Sequence, residues 1–102
     1  MHEKAAFSGG TLDYLAPEVV AGLPHDASID IWCLGVLLYE LLHGQPPFSG
    51  KSESEKVFQI KNYDNKLVFN EEISGAARHL ISALMKKRPS ERITMKQIFE
   101  DN

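Results

Sequence analysis

This chain of 102 residues predicts an all-α fold of four to five helices joined by irregular loops. Three observations carry that prediction. Apolar residues fill or pattern two long stretches at helical spacing, around Ile29 to Leu42 and Ala77 to Met85. Hydroxyl residues stand three positions before Glu or Gln at the heads of two further stretches, which is capping-box spacing. No segment alternates apolar and polar residues convincingly enough to read as a strand.

The elements follow in order. Residues 1–16 contain Gly9-Gly10 and no helical period, and read as an extended or irregular loop. Pro17 suits the first turn of a short helix carrying Glu18, Val19 and Val20, which Gly22 and Pro24 break. A second helix is expected from Ser28, as N-cap, through Leu42; Gly44 stops it and Pro46-Pro47 forbids its continuation. This helix is apolar nearly all round, so it is expected to need protein on every side. Ser52 and Glu55 form a capping box for a short helix to about Ile60, followed by a polar link from Asn62 to Asn70. Ser74 caps a third main helix with Ala77, Leu80, Ile81, Leu84 and Met85 on one stripe, ended by Arg88-Pro89. Thr94 and Gln97 make a last capping box, for a helix bearing Ile98 and Phe99.

Composition narrows the function. A hydrophobic share of 43% and a net charge of −3 describe an ordinary globular chain and argue against nucleic-acid binding. Charge is uneven: residues 1–50 hold one lysine and six acids, whereas residues 51–102 hold ten Lys/Arg and eight acids. The acidic half suits a basic peptide, or is merely a solvated surface. Cys33 is the single cysteine, so no intrachain disulfide forms and an intracellular setting, cytoplasmic or nuclear, fits. The Ile29–Leu42 run is too short to cross a bilayer and contains Asp30 and Glu40, so no membrane role is expected. The four histidines share no metal-ligand spacing, and no metal site is expected. Lys86-Lys87-Arg88 reads either as a solvated helix end or as a site for phosphate or a docking acid.

Five markers occur in order: Gly10-Thr11, Ala16-Pro17-Glu18, Asp30-x-Trp32-x-x-Gly35, Gly44-x-Pro46-Pro47-Phe48, and a late Arg92 before a helix. Together they resemble the C-terminal half of the C-lobe of eukaryotic Ser/Thr protein kinases, a helical part of a domain that is α+β when complete. The wording of Gly10 to Leu15 and of Gly75 to Ser82 is most similar to the Aurora kinases.

The resemblance implies one partial kinase domain over residues 1–102, with the activation-segment end at 1–18 and a substrate-docking helical subdomain at 19–102. It implies that Thr11 contacts the catalytic aspartate, and that Leu12, Asp13, Tyr14 and Leu15 seat the substrate residue after the phosphoacceptor. It implies that Asp30 holds backbone amides of the catalytic loop, that Glu40 faces an upstream arginine of the substrate, and that Glu18 pairs with Arg92. Chemistry alone would leave Glu18 and Arg92 as two exposed charges and Asp30 as support for its helix end. Ser8 is the candidate phosphosite, although no arginine precedes it to hold a phosphate.

Other parts of the resemblance are missing. The chain has no Gly-x-Gly-x-x-Gly, no His-Arg-Asp and no Asp-Phe-Gly, so no catalytic or cofactor-binding residue is expected within it. ATP and Mg²⁺ are implied only for a complete kinase, and the chain by itself is expected to be inactive. Its expected partners are a protein or peptide substrate, basic in character, and either the missing N-terminal kinase portion or a second copy meeting the Ile29–Leu42 helix. The alternative is a non-catalytic, kinase-derived module that binds peptides or partners.

Overall fold

The structure, a computed structural model, describes residues 9–100. Among them are five α-helices and no strand: α1 (Pro17–Val20), α2 (Ser28–His43), α3 (Glu53–Lys61), α4 (Gly75–Leu84) and α5 (Met95–Glu100). Two 3-10 helices, Gly9–Tyr14 and Pro89–Glu91, complete the regular structure. The expected all-α architecture is therefore present. The candidate phosphosite Ser8 lies outside the described residues.

Local chemistry explains most helix ends. The Ser52 and Ser74 hydroxyls accept the N–H groups of Glu55 and Ala77, and so satisfy otherwise orphaned donors. Thr94 and Gln97 form the full reciprocal box. Glu55 departs from that pattern by reaching back to the N–H of Lys51, at 2.6 Å. At the head of α2 the expected N-cap is displaced. Ala27 occupies the cap position, and the Asp26 carboxylate, one residue earlier, accepts the Ser28 N–H at 2.9 Å. The Ser28 side chain, and after it that backbone bond, hold the Asp26 carboxyl below its ordinary range. Gly44 closes α2 with φ of 80°, a left-handed conformation that glycine adopts without Cβ strain. The segment expected to be irregular holds a second correction: Gly9–Tyr14 winds into a 3-10 helix.

The core forms between α2 and α4. Ile31, Trp32, Gly35, Val36 and Tyr39 are the buried face of α2, meeting Ile81, Leu84 and Met85. A Cβ on Gly35 would lie 2.5 Å from Met85 Cγ and 3.0 Å from Leu84 Cβ, so these helices approach closely only because that position is glycine. Trp32 stacks on Phe48, with Tyr63 edge-on to both rings at 5.5 Å. Each such buried side chain contributes roughly 1.5–3 kcal/mol of transfer free energy. His43 stacks on Tyr39, donates from Nδ1 to the Tyr39 carbonyl and accepts the Asn70 N–H at Nε2, which fastens the polar link to α2.

The opposite face of α2 is open. Leu37, Leu41 and Leu42 are exposed, Leu41 at 70%, while Leu34 and Leu38 are half-buried. Among the described residues, then, this apolar helix is covered on one side only.

Candidate functional site

The 3-10 helix Gly9–Tyr14 carries four of the predicted site residues, Thr11, Leu12, Asp13 and Tyr14, and three ties fix it to the helices. The Tyr14 hydroxyl donates to Glu40 Oε1, near the C-terminal end of α2. The Cys33 thiol donates to the Tyr14 carbonyl at 3.4 Å, a weak bond that suits a half-buried sulfur. Asp13 pairs with Lys56 of α3 at 2.8 Å. The Glu40 hydrogen bond raises the Tyr14 hydroxyl above its ordinary range, and burial raises the Cys33 thiol. Both groups therefore stay protonated and keep donating.

Leu12 and Leu15 turn to the other side. With Val19 and Val20 of α1 and Val57 of α3 they line an open cavity of about 250 Å³, with Glu53 at its edge. Leu12 is buried and Leu15 half-buried. A one-turn helix such as α1 cannot stabilise itself, so its valines hold their place by packing against the hydrophobic core.

One ion pair fixes the base of the site. Arg92 Nη1 and Nη2 donate to the two carboxylate oxygens of Glu18 at 2.7 and 2.8 Å. The same guanidinium donates to the carbonyls of Lys86, Ser28 and Lys87 and lies 5.1 Å from the Trp32 ring centroid. Both side chains are almost fully buried, and the fork-on-fork geometry makes desolvation tolerable. Glu18 thus ties α1 to the segment after α4, across 74 positions of sequence.

Asp30 is elsewhere. It lies ten residues before Glu40 on α2, about 15 Å along the helix axis. Its side chain is exposed at the edge of an open cavity of about 720 Å³ that Leu34, Ile93 and Met95 also line. The structure therefore joins Tyr14 to Glu40 and groups Leu12 with Leu15 in the cavity on the other side of the segment, and it leaves Asp30 at the opposite end of α2 from Glu40. Asp13 points to Lys56. Thr11 belongs to the 3-10 helix.

Lys56, paired with Asp13, and Val57, in the cavity wall, are neighbours that no sequence signal singled out; their positions on a short polar helix say only that it has two faces. Among the described residues no group of three or more His, Cys, Asp or Glu side chains could hold a metal ion. No helix of the described residues is long and apolar enough to cross a membrane.

Residues 2–102 match the family model of the protein kinase domain. The chain is 44% identical over 91 residues to Aurora kinase C of Mus musculus, an alignment covering 89% of this chain and 32% of that protein. It is 43% identical over 91 residues to the serine/threonine-protein kinase Aurora-2 of Arabidopsis thaliana, with 89% and 32% covered. It is 44% identical over 91 residues to Aurora kinase B-A of Xenopus laevis, with 89% and 25% covered. The chain therefore spans about a third or less of the length of these relatives. By the match along nearly its whole length, this chain belongs to the protein kinase domain family and is similar to the Aurora serine/threonine kinases.

Proposed function

We propose that this chain is the substrate-docking part of a serine/threonine protein kinase domain, with the activation-segment end at residues 1–18 and the helical docking subdomain at 19–102. The complete domain transfers the γ-phosphate of ATP to protein Ser or Thr. The observation that carries this reading is that one short segment, residues 9–15, both lines an apolar cavity with Val19, Val20 and Val57 and, through Tyr14, holds Glu40. An apolar substrate side chain following the phosphoacceptor fits the cavity. Among the described residues Glu40 Oε2 has no hydrogen-bond partner, while Oε1 is held by Tyr14; that leaves one oriented carboxylate oxygen for an upstream arginine.

The residues of this chain bind and orient. Fixing a substrate hydroxyl by two contacts on either side of it removes much of the entropic cost of reaching a reactive geometry. Asp30, exposed on a free helix face, is available for the backbone amides of a catalytic loop, and Thr11 for contact with a catalytic aspartate. ATP with Mg²⁺ supplies the transferred group in the complete domain, but the residues here do not fit either: the sequence has no phosphate-cradling glycine loop, and the described residues have no carboxylate cluster for a metal. The chain alone is therefore inactive. Its setting is intracellular, cytoplasmic or nuclear.

A second reading has its own support. The cavity and Glu40 are both formed within this chain, which suffices for a non-catalytic module that docks peptides. The test is kcat/KM of the complete domain on a serine peptide with arginine upstream and on its alanine counterpart. Glu40→Ala is expected to remove most of the preference for arginine. An undiminished preference overturns the role of Glu40; peptide binding by this chain with no phosphotransfer by any longer form favours the second reading.

A further inference from the structure

A basic cavity lies behind α1, away from the substrate-docking surface. Val19 and Val20 face the docking cavity, whereas Pro17, Ala21 and the exposed Leu23 line a second hollow of about 500 Å³. Its other walls are Lys61, at the end of α3, and Lys87 and Arg88, after α4. The volume is in the range that accommodates a bound side chain with part of its backbone.

The electrostatics are one-sided. Among the described residues, Glu18 is the only acid lining the hollow, and Arg92 takes both of its carboxylate oxygens. Among the described residues, none of Lys61, Lys87 and Arg88 pairs with a carboxylate. Lys87 is held in place: its Nζ donates to the Lys61 carbonyl at 2.8 Å and its N–H to Asn65 Oδ1 at 2.7 Å. An ammonium donating one hydrogen bond keeps two N–H groups for a ligand. Helix ends account for the placing of Lys61, since cations suit a helix C-terminus, but not for the convergence of three cations from two segments on one apolar floor.

We propose that this hollow docks an acidic segment of a partner protein, seating one apolar side chain on Pro17, Ala21 and Leu23 while neighbouring carboxylates meet Lys61, Lys87 and Arg88. The apolar floor favours a peptide over a free anion, because inorganic phosphate gains nothing from apolar contact. The site is independent of phosphotransfer and lies on the other face of α1 from the substrate.

The test uses this chain and a fluorescent Glu-Asp-Leu-Glu-Asp peptide, read by anisotropy in low salt and mapped by amide shifts. Wild type binds, with shifts at Ala21, Leu23 and Arg88; the double variant Lys61→Glu/Arg88→Glu, at two exposed positions, binds at least tenfold more weakly with an unchanged far-UV spectrum. Replacing the peptide leucine by serine weakens binding several-fold, and raising salt weakens it further, since exposed charges are screened over about 8 Å at physiological ionic strength. Absence of binding, indifference to the charge reversal, equal displacement by inorganic phosphate, or shifts confined to Leu12 and Leu15 would each overturn the proposal.

Discussion

Removing the two partners of the buried ion pair has unequal consequences. Glu18→Ala strands the Arg92 guanidinium, but Arg92 keeps three backbone carbonyls and the face of Trp32. Arg92→Ala strands the Glu18 carboxylate and also deprives the carbonyls of Ser28, Lys86 and Lys87 of a donor. Breaking one side of a buried pair costs about 3–5 kcal/mol. The retained contacts place Glu18→Ala at the lower end, about 3 kcal/mol, and the additional losses place Arg92→Ala at about 5 kcal/mol or above. Removing both charges together, as Glu18→Met/Arg92→Met, strands no charge and is expected to cost at least about 2 kcal/mol less than the sum of the single changes to methionine. Urea unfolding followed by circular dichroism and Trp32 fluorescence measures this. With an m-value of about 1–3 kcal/mol/M, the Glu18→Ala midpoint falls by at least about 1 M. A cost of less than about 1 kcal/mol for Glu18→Ala, or one equal to that of Arg92→Ala, would mean that the pair is not buried and shared in this way.

Three further outcomes are expected. Gly35→Ala drives a Cβ to 2.5 Å from Met85 Cγ and 3.0 Å from Leu84 Cβ, and should destabilise the chain by about 1–3 kcal/mol, read as a lowered melting temperature. Tyr63→Phe removes a buried hydroxyl that has no partner among the described residues, and should stabilise by about 1 kcal/mol at neutral pH. Burial raises the Tyr63 ionisation above its ordinary value, so above about pH 10 the unfolded chain loses that proton while the folded chain keeps it. The Tyr63 contribution is therefore full below that pH and falls as pH rises through it. Tyr63→Phe flattens the alkaline decline by one proton, leaving the contributions of Tyr14, Tyr39 and the Cys33 thiol, as urea midpoints across the alkaline range would record. Leu41→Asp, at the most exposed position of the open α2 face, should reduce concentration-dependent self-association in sedimentation velocity.

What could be read from the sequence was local. The capping serines and threonine act on amides three residues away, so spacing alone locates them, and the stripe of α4 follows from its period. Ser28 misled because two residues near one helix start can each accept a hydrogen bond; the Asp26 carboxylate takes the Ser28 amide instead. The 3-10 helix Gly9–Tyr14 was hidden because nothing within it favours a helix; it is held from outside by Glu40, Cys33 and Lys56. Chemistry alone left Glu18 and Arg92 as exposed charges, and only the family resemblance brought them together. Lys56 and Val57 were not readable at all, since their roles depend on where α3 packs, a tertiary fact with no periodic trace. Even so, Gly35 was visible as part of a motif before the close approach of α2 and α4 gave its reason.

If the Leu12–Val57 cavity reads the substrate residue after the phosphoacceptor, exchanging charge there changes which residue is preferred. The measurement is kcat/KM of the complete domain on two serine peptides differing only in leucine or aspartate at that position, for wild type and Val57→Lys. Wild type should prefer leucine, and Val57→Lys should lower the leucine-to-aspartate ratio at least tenfold, equivalent to about 1.4 kcal/mol of transition-state binding. An unchanged ratio in a folded, active variant would contradict the account.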